Sequence, residues 1–428
     1  MSFEVTFLGT SGGPLEGNTC SILLKSTSIE YSTLLEVDDH KPTELKENDE
    51  ILVIDAGSGM GKLTDIIYQE SKNKKSICNL LDYYYDSEPI HYYYHSSINL
   101  KRPFENFNKF NTISYTKLIF NKLNNFLISH PHLDHVSSLV INSAGFPTNN
   151  PPKQVYGSKY TINSLQNHYF NGIVWPNMPN FDILNLNSVE FEKSFKIGNY
   201  EIEMFPLSHG ELNMIESKKQ KNNPSDGGKR HSSITTIPAG INDENYIKTK
   251  IENDFTHSNS GNLEDPTQSH YQSSAFLINR NNSSILIFGD FESDLISKLQ
   301  YNQKIWHKIA PLILKNQLKL IILECSNSFE IDENKLYGHL TPKYVIYELK
   351  QLEKEILKIS DSTTKEQLQQ PLRGLNIMIN HIKEPLLTNT RQIKDPRKQI
   401  LLELNKLNTE EKLGVFFSIA LSGTTIVV

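Results

Sequence analysis

Cysteine is scarce: Cys20, Cys78 and Cys325 are the only three among 428 residues. Three thiols so far apart exclude a disulfide framework and a cysteine-rich zinc site, and they suit a reducing compartment. Long apolar runs are also missing. No window approaches the ~18 continuous apolar residues that a membrane helix requires. The apolar tail "GVFFSIALSGTTIVV" is interrupted by Ser418, Ser422 and Gly423 and reads as closing strands. The opening "MSFEVTFLGT" has neither a basic n-region nor an apolar h-region, which predicts no signal peptide. Nor is positive charge in surplus: a formal net charge of −6 gives no general pull toward nucleic acid or anionic membranes. These absences predict a soluble, cytoplasmic, globular protein with no pull toward nucleic acid or membrane. A homodimer stays open.

The chain is long enough to bury a large core, although its hydrophobic content is only 37%. The shortfall sits in polar stretches near 27–50, 72–115, 211–270 and 359–371. The third contains "KKQKNNPSDGGKR" and "THSNSGNLEDPTQSH", too polar to pack a core, and reads as a loop or flexible insertion. Between these stretches, apolar runs of strand length recur: "FEVTFL", "CSILLK", "ILVID", "NFLIS", "YEIEMF", "SAFLIN", "SILIFG", "KLIILE" and "LNIMIN". Residues 342–358 instead space Val345, Leu349, Leu352 and Ile356 along one helical face. "DPRKQILLELNKLN" predicts a helix with Asp395 as N-cap and Pro396 at its first position. Strands alternating with helices predict an α/β fold, a single domain over 1–428 with polar surface insertions.

The densest chemistry is "HPHLDH", following the apolar run "NFLIS". His130 to His135 therefore occupy the turn at a strand's C-terminal end, before a helix predicted over "VSSLVINSAG". Residues two apart in extended backbone project the same way, so His130 and His132 can share one ion, while Asp134 and His135, past the bend, suit a second. Later strand ends supply more ligands: His209 after "EMFPLS", Asp290 after "SILIFG" and His381 after "LNIMIN". The pattern assigns His130, His132 and His209 to one ion and Asp134, His135 and His381 to the other, with Asp290 between. Imidazoles and carboxylates without thiolates suit Zn²⁺, with Mn²⁺ or Fe as alternatives. His-x-His-x-Asp-His at a strand end indicates a metallo-β-lactamase-like αββα sandwich.

The longer stretch "HPHLDHVSSLVINSA", His130 to Ala144 and including Ser138 and Ser143, resembles without a gap the signature of the class II cyclic-nucleotide phosphodiesterases. "FLGTSGGPLEGNTCSILL", "VIDAGSG", "FGDFESD", "LECSN", "GHLTP" and "NHIK" are similar to other blocks of that family. The resemblance, to the fungal low-affinity type, implies hydrolysis of 3′,5′-cyclic AMP, and of cyclic GMP, to the 5′-nucleotide at a binuclear zinc centre, lowering cyclic AMP signalling. Two cations would hold a hydroxide of lowered pKa and clamp a phosphate oxygen, with Asp134 and Asp290 orienting the nucleophile. His339 in "YGHLTP" is the candidate acid for the departing 3′ oxygen, its placement being similar to a His of the related tRNA 3′-end nucleases. The opposite assignment makes His339 the ligand and His381 the structural or acid residue.

Asp55, between "ILVI" and Gly57, is read as a partner fixing a ligand His through its other ring nitrogen, or as a turn former. Gly9, Gly12 and Gly13 make no phosphate loop, because no Lys-Ser/Thr follows. Cys20 and Cys325 read as inert core. His91 and His95, among the tyrosines of "DYYYDSEPIHYYYH", read as part of an irregular aromatic surface insert. Three rival functions stand: a tRNA 3′-processing endonuclease with "KKQKNNPSDGGKR" as its basic arm, a lactone or thioester hydrolase, and a non-catalytic binding protein on the same fold.

Overall fold

The computed structural model describes residues 3–34, 50–72, 80–147, 151–211, 270–332, 335–360, 370–384 and 393–428. The basic run 218–230 and Cys78 lie outside them, and of the 211–270 stretch only the two edges fall inside.

The strands are β1 (Phe3–Gly9), β2 (Ser21–Ser26), β3 (Leu52–Ile54), β4 (Asn99–Lys101), β5 (Asn125–Leu127), β6 (Lys153–Gly157), β7 (Leu184–Ser188) and β8 (Ser194–Ile197). After these come β9 (Tyr200–Glu211), β10 (His270–Arg280), β11 (Ser283–Phe288), β12 (Leu318–Glu324), β13 (Asn376–Asn380), β14 (Phe416–Ile419) and β15 (Thr425–Val427). Among the described residues they form two sheets, ordered β4-β15-β1-β2-β3-β5-β6-β7 and β14-β13-β12-β11-β10-β9-β8. The tail does close the fold, since β15 pairs antiparallel with β1, Glu4 opposite Val427.

Side chains alternate across a strand, and the core divides accordingly. Phe3, Val5, Phe7, Ile22, Leu24, Leu52, Ile54 and Leu127 join an apolar cluster with the second sheet. Their neighbours Leu23, Val53, Phe126 and Ile128 face outward. There they meet Leu63, Ile66 and Ile67 of α1 (Met60–Ser71), Ile119 and Phe120 of α2 (Thr112–Lys122), and Val136, Leu139 and Val140 of α3 (Leu133–Ser143). The second sheet is backed by the helices Tyr301–Leu314, Pro342–Ile359 and Pro396–Glu411, which bury Trp306, Leu349 and Leu404. The result is the αββα sandwich of the metallo-β-lactamase-like fold. Asp395 caps its helix by accepting from Arg397 N at 3.1 Å, as the Asp-Pro start predicts. No helix among the described residues is long and apolar enough to cross a membrane.

The aromatic stretch differs from its reading as a surface insert. Tyr93 and Tyr94 are buried, Tyr93 donating to the Asp395 carboxylate. The hydroxyl of Tyr94 meets Thr424 Oγ1 at 2.6 Å and accepts from Leu421 N at 3.2 Å. β4 then extends the first sheet beyond β15. A tyrosine can be buried when its hydroxyl finds a partner, and these partners lie some 300 residues away in sequence.

Truncation should separate the two faces of the second helical layer. Leu349→Ala, at a fully buried position, is expected to cost about 2–5 kcal/mol. Leu402→Ala, on the exposed face, should stay within about 0.5 kcal/mol. Urea midpoints at unchanged slope would measure both.

Candidate metal centre

Strands β3 and β5 are parallel neighbours, as are β11, β12 and β13, so each set ends at one rim, and the chemistry gathers there. Chain just past β3 supplies Asp55, just past β5 His130, just past β11 Asp290 and just past β13 His381, while β9 itself carries His209. α3 begins at Leu133, earlier than its apolar pattern predicts, so Asp134 and His135 project from its first turn instead of from the loop.

Asp55 organises the turn. Its carboxylate accepts from Ser129 N at 2.8 Å and Ser129 Oγ at 2.8 Å, and lies 2.8 Å from His135 Nδ1. Nε2 of His135 is left to face the centre. His209 is oriented likewise, with Nδ1 3.0 Å from the Gly338 carbonyl, and His381 with Nδ1 2.9 Å from Ser326 Oγ.

His130, His132 and His209 form one group whose nearest ligand atoms lie within 4.8 Å of one another. Asp134, His135, Asp290 and His381 form another. Asp290 stands between them. Its Oδ2 is 3.8 Å from His130 Nε2, 3.6 Å from His209 Nε2 and 3.0 Å from His381 Nε2, and its Oδ1 is 3.3 Å from His135 Nε2. His381 Nε2 also lies 3.2 Å from Asp134 Oδ2. Nitrogen and oxygen ligands at ~2.0–2.1 Å from a tetrahedral cation stand about 3.3–3.4 Å apart, and the distances here, from 3.0 to 3.8 Å, bracket that spacing. Nε2 of His130 and of His135 are moreover buried with no hydrogen-bond partner. A donor set of this kind fits divalent cations.

The electrostatics divide the same way. Burial pushes His130, His132 and His209 down, leaving neutral rings. Burial would also lower His135 and His381, but the Asp290 carboxylate, with Asp134, outweighs it. His135 is held well above its ordinary value and His381 at about 9. Burial opposes ionisation of Asp134 and Asp290 too, yet the charges on His135 and His381 keep both below the usual carboxylate range.

His339 flanks this cluster. Its Nδ1 lies 3.0 Å from both carboxylate oxygens of Glu324 and 3.9 Å from Asp290 Oδ2. Glu324 did not stand out in the sequence, although "KLIILE" ends on it, the strand-end signal that singled out Asp290. Ser129 and Ser326 carry no such signal. Cys20 lies closer to the centre than a core reading suggests, grouped with His135 and His381 within 4.8 Å. Burial and the Asp290 charge push its thiol pKa well up, however, so it stays protonated. His91 and His95 stand apart from these groups; His95 stacks on Phe416 at 3.8 Å. Two glycines of "GTSGGP" serve packing, since a Cβ would lie 1.8 Å from the Thr19 carbonyl oxygen on Gly9 and 2.5 Å from the His381 ring on Gly12, whereas Gly13 takes a φ of +78.

The model of the class-II cAMP phosphodiesterases matches residues 43–423. The chain belongs to the class-II cAMP phosphodiesterases. It is 52% identical over 451 residues to a 3′,5′-cyclic-nucleotide phosphodiesterase of Candida albicans, with all of both chains covered. It is 29% identical to 3′,5′-cyclic-nucleotide phosphodiesterase 1 of Saccharomyces cerevisiae over 99% of each. The crystal structure of unliganded yeast PDE1 superposes with a TM-score of 0.70 at 26% identity, covering 100% of this chain and 99% of that one. By contrast, similarity to the ribonuclease Z of Methanococcus maripaludis spans 28% of this chain and 42% of that protein.

Two outcomes are expected of this class-II centre. A dication that takes His135 and His381 as ligands must displace their protons. Its affinity should therefore rise with pH through about 9, the value for His381. Calorimetry at pH 7 in buffers of different ionisation enthalpy should register proton release, and none would contradict the arrangement. Gly338 has φ +79, and a Cβ there would lie 2.4 Å from the His209 backbone. Gly338→Ala should thus displace His209 and weaken metal retention against a chelator, at a strain of about 1–3 kcal/mol.

Proposed function

We propose that this phosphodiesterase hydrolyses 3′,5′-cyclic AMP, and cyclic GMP as well, to the 5′-nucleotide at a binuclear zinc centre. The observation that carries the reading is the placement of the Asp290 carboxylate within 4 Å of ring nitrogens from both histidine groups. In this reading His130, His132 and His209 would hold one cation and Asp134, His135 and His381 the other, with the Asp290 carboxylate between the two groups. Zinc is favoured because the seven donors are imidazoles and carboxylates with no thiolate. Divalent cations so held supply charge neutralisation for the phosphate and lower the pKa of a water.

The chain's own groups complete the reaction. Asp134, whose side chain is 28% exposed at the rim, and Asp290 orient the attacking water on the side of phosphorus opposite the 3′ oxygen. The P–O3′ bond breaks as the water oxygen, its proton released to solvent at the rim, bonds to phosphorus, and O3′ needs a proton. His339 supplies it from Nε2, while Glu324 at Nδ1 holds the ring. His381 serves as ligand in preference to His339 because its Nε2 meets both Asp134 and Asp290, whereas His339 turns its Nδ1 to Glu324. Product is the 5′-monophosphate with a free 3′-hydroxyl, and the cellular effect is removal of the cyclic nucleotide signal in the cytoplasm.

Purified protein should turn over cyclic AMP and lose that activity to a chelator and to His132→Ala. A metal-replete sample without turnover would remove the function and leave the fold. His339→Ala should keep its metal, by elemental analysis, while kcat falls about 10²–10⁴-fold. Loss of metal in that variant would exchange the roles of His339 and His381.

A further inference from the structure

Tyr337 stands two residues before His339 in "YGHLTP" and is 55% exposed. Its φ is +51, a left-handed backbone that is a genuine outlier for a bulky residue. The surroundings over-determine it. Leu336 and Leu340 on either side are buried. Gly338 abuts the His209 backbone and accepts from His209 Nδ1, and His339 N donates to the Leu336 carbonyl at 3.2 Å. Folding gains little in return: among the described residues the tyrosine ring makes no hydrogen bond, ion pair or ring contact and joins neither apolar cluster. A large aromatic side chain is thus held, at a backbone cost, in solvent at the rim of the centre.

We propose that Tyr337 is the platform on which the purine of the cyclic nucleotide stacks, an inference that rests on the functional reading above. Two residues span at most about 7 Å, so the backbone that carries the ring lies within one nucleoside's reach of His339. The base is carried on the same ribose whose 3′ oxygen faces that histidine. Every nucleobase has a π face, and an exposed tyrosine offers its counterpart without asking for a hydrogen-bond pattern. Stacking on Tyr337 therefore accepts adenine and guanine alike. Tyr337 is a specificity residue that tells a cyclic nucleotide from a bare cyclic sugar phosphate.

The test compares wild type with Tyr337→Ala, Tyr337→Phe and Tyr337→Asn on cyclic AMP and on base-free ribose 3′,5′-cyclic phosphate. In the Ala and Asn variants KM for cyclic AMP should rise about tenfold, with kcat moved far less. The preference for cyclic AMP over the base-free substrate, as a ratio of kcat/KM values, should fall by the same factor. Phe should restore the wild-type KM. Asn, which tolerates left-handed backbone, should melt no lower than wild type. An unchanged KM in Tyr337→Ala, equal losses on both substrates, lost metal, or a lowered melting temperature in Tyr337→Asn would each overturn the inference. Failure of the wild type to hydrolyse cyclic AMP would overturn the functional reading and this inference with it. Turnover with a neutral Tyr337→Ala overturns this inference alone.

Discussion

One carboxylate holds the rim together. Asp55 accepts from the backbone and side chain of Ser129 and pairs with His135, so the end of β3, the end of β5 and the first turn of α3 are fixed by a single group. Asp55 N also donates to the Leu127 carbonyl at 2.9 Å, and Ala56 N to that of His135 at 2.7 Å. Hydrogen bonds of this kind stabilise the charged carboxylate in a buried place. The His-x-His-x-Asp-His turn then has little freedom left, and the imidazoles enter the centre already oriented.

That rigidity concentrates negative charge. Asp55, Asp290 and Glu324 are each at most 5% exposed, and Asp134 joins them at the rim. An ion buried without a partner costs several kcal/mol, and His130 and His209, held neutral by burial, offer no compensating charge. His135 and His381 balance part of the charge by holding protons. Dications do so more completely, since each carries two charges and accepts the lone pairs of the neutral rings. Metal affinity and fold stability are therefore linked here, because the folded rim is where the ligands converge.

The parts of this arrangement visible in the sequence share one property: they are local. An apolar strand followed at once by a ligand-type residue marks His130, Asp290 and His381, and a periodic face marks the helix Pro342–Ile359. Glu324 carries the same mark, but its partner, His339, lies 15 residues on across a loop and nothing local links the two. The start of α3 was hidden for another reason. His132 is its N-cap and makes no capping hydrogen bond with its side chain, so none of the usual Ser, Thr, Asp or Asn signals precedes the helix. Tyr93 and Tyr94 were illegible because their burial depends on hydroxyl partners near the far end of the chain.

Of the eleven non-glycine residues with positive φ among the described residues, three lie at the site. Asp55, Tyr337 and His381 have φ of 55, 51 and 56, and none is a glycine. Strain of this sort persists only where the surroundings impose it and tends to collect at functional sites. Two of the three have a visible return. Asp55 orients His135, and the twist at His381 brings its ring against Gly12 and its Nε2 onto Asp290. Tyr337 has no such return among the described residues. The cost at Tyr337 is of the same kind as the other two and is met by the burial of Leu336 and Leu340 and by the Gly338 contact with His209, and the return proposed for its exposed ring is the stacked base.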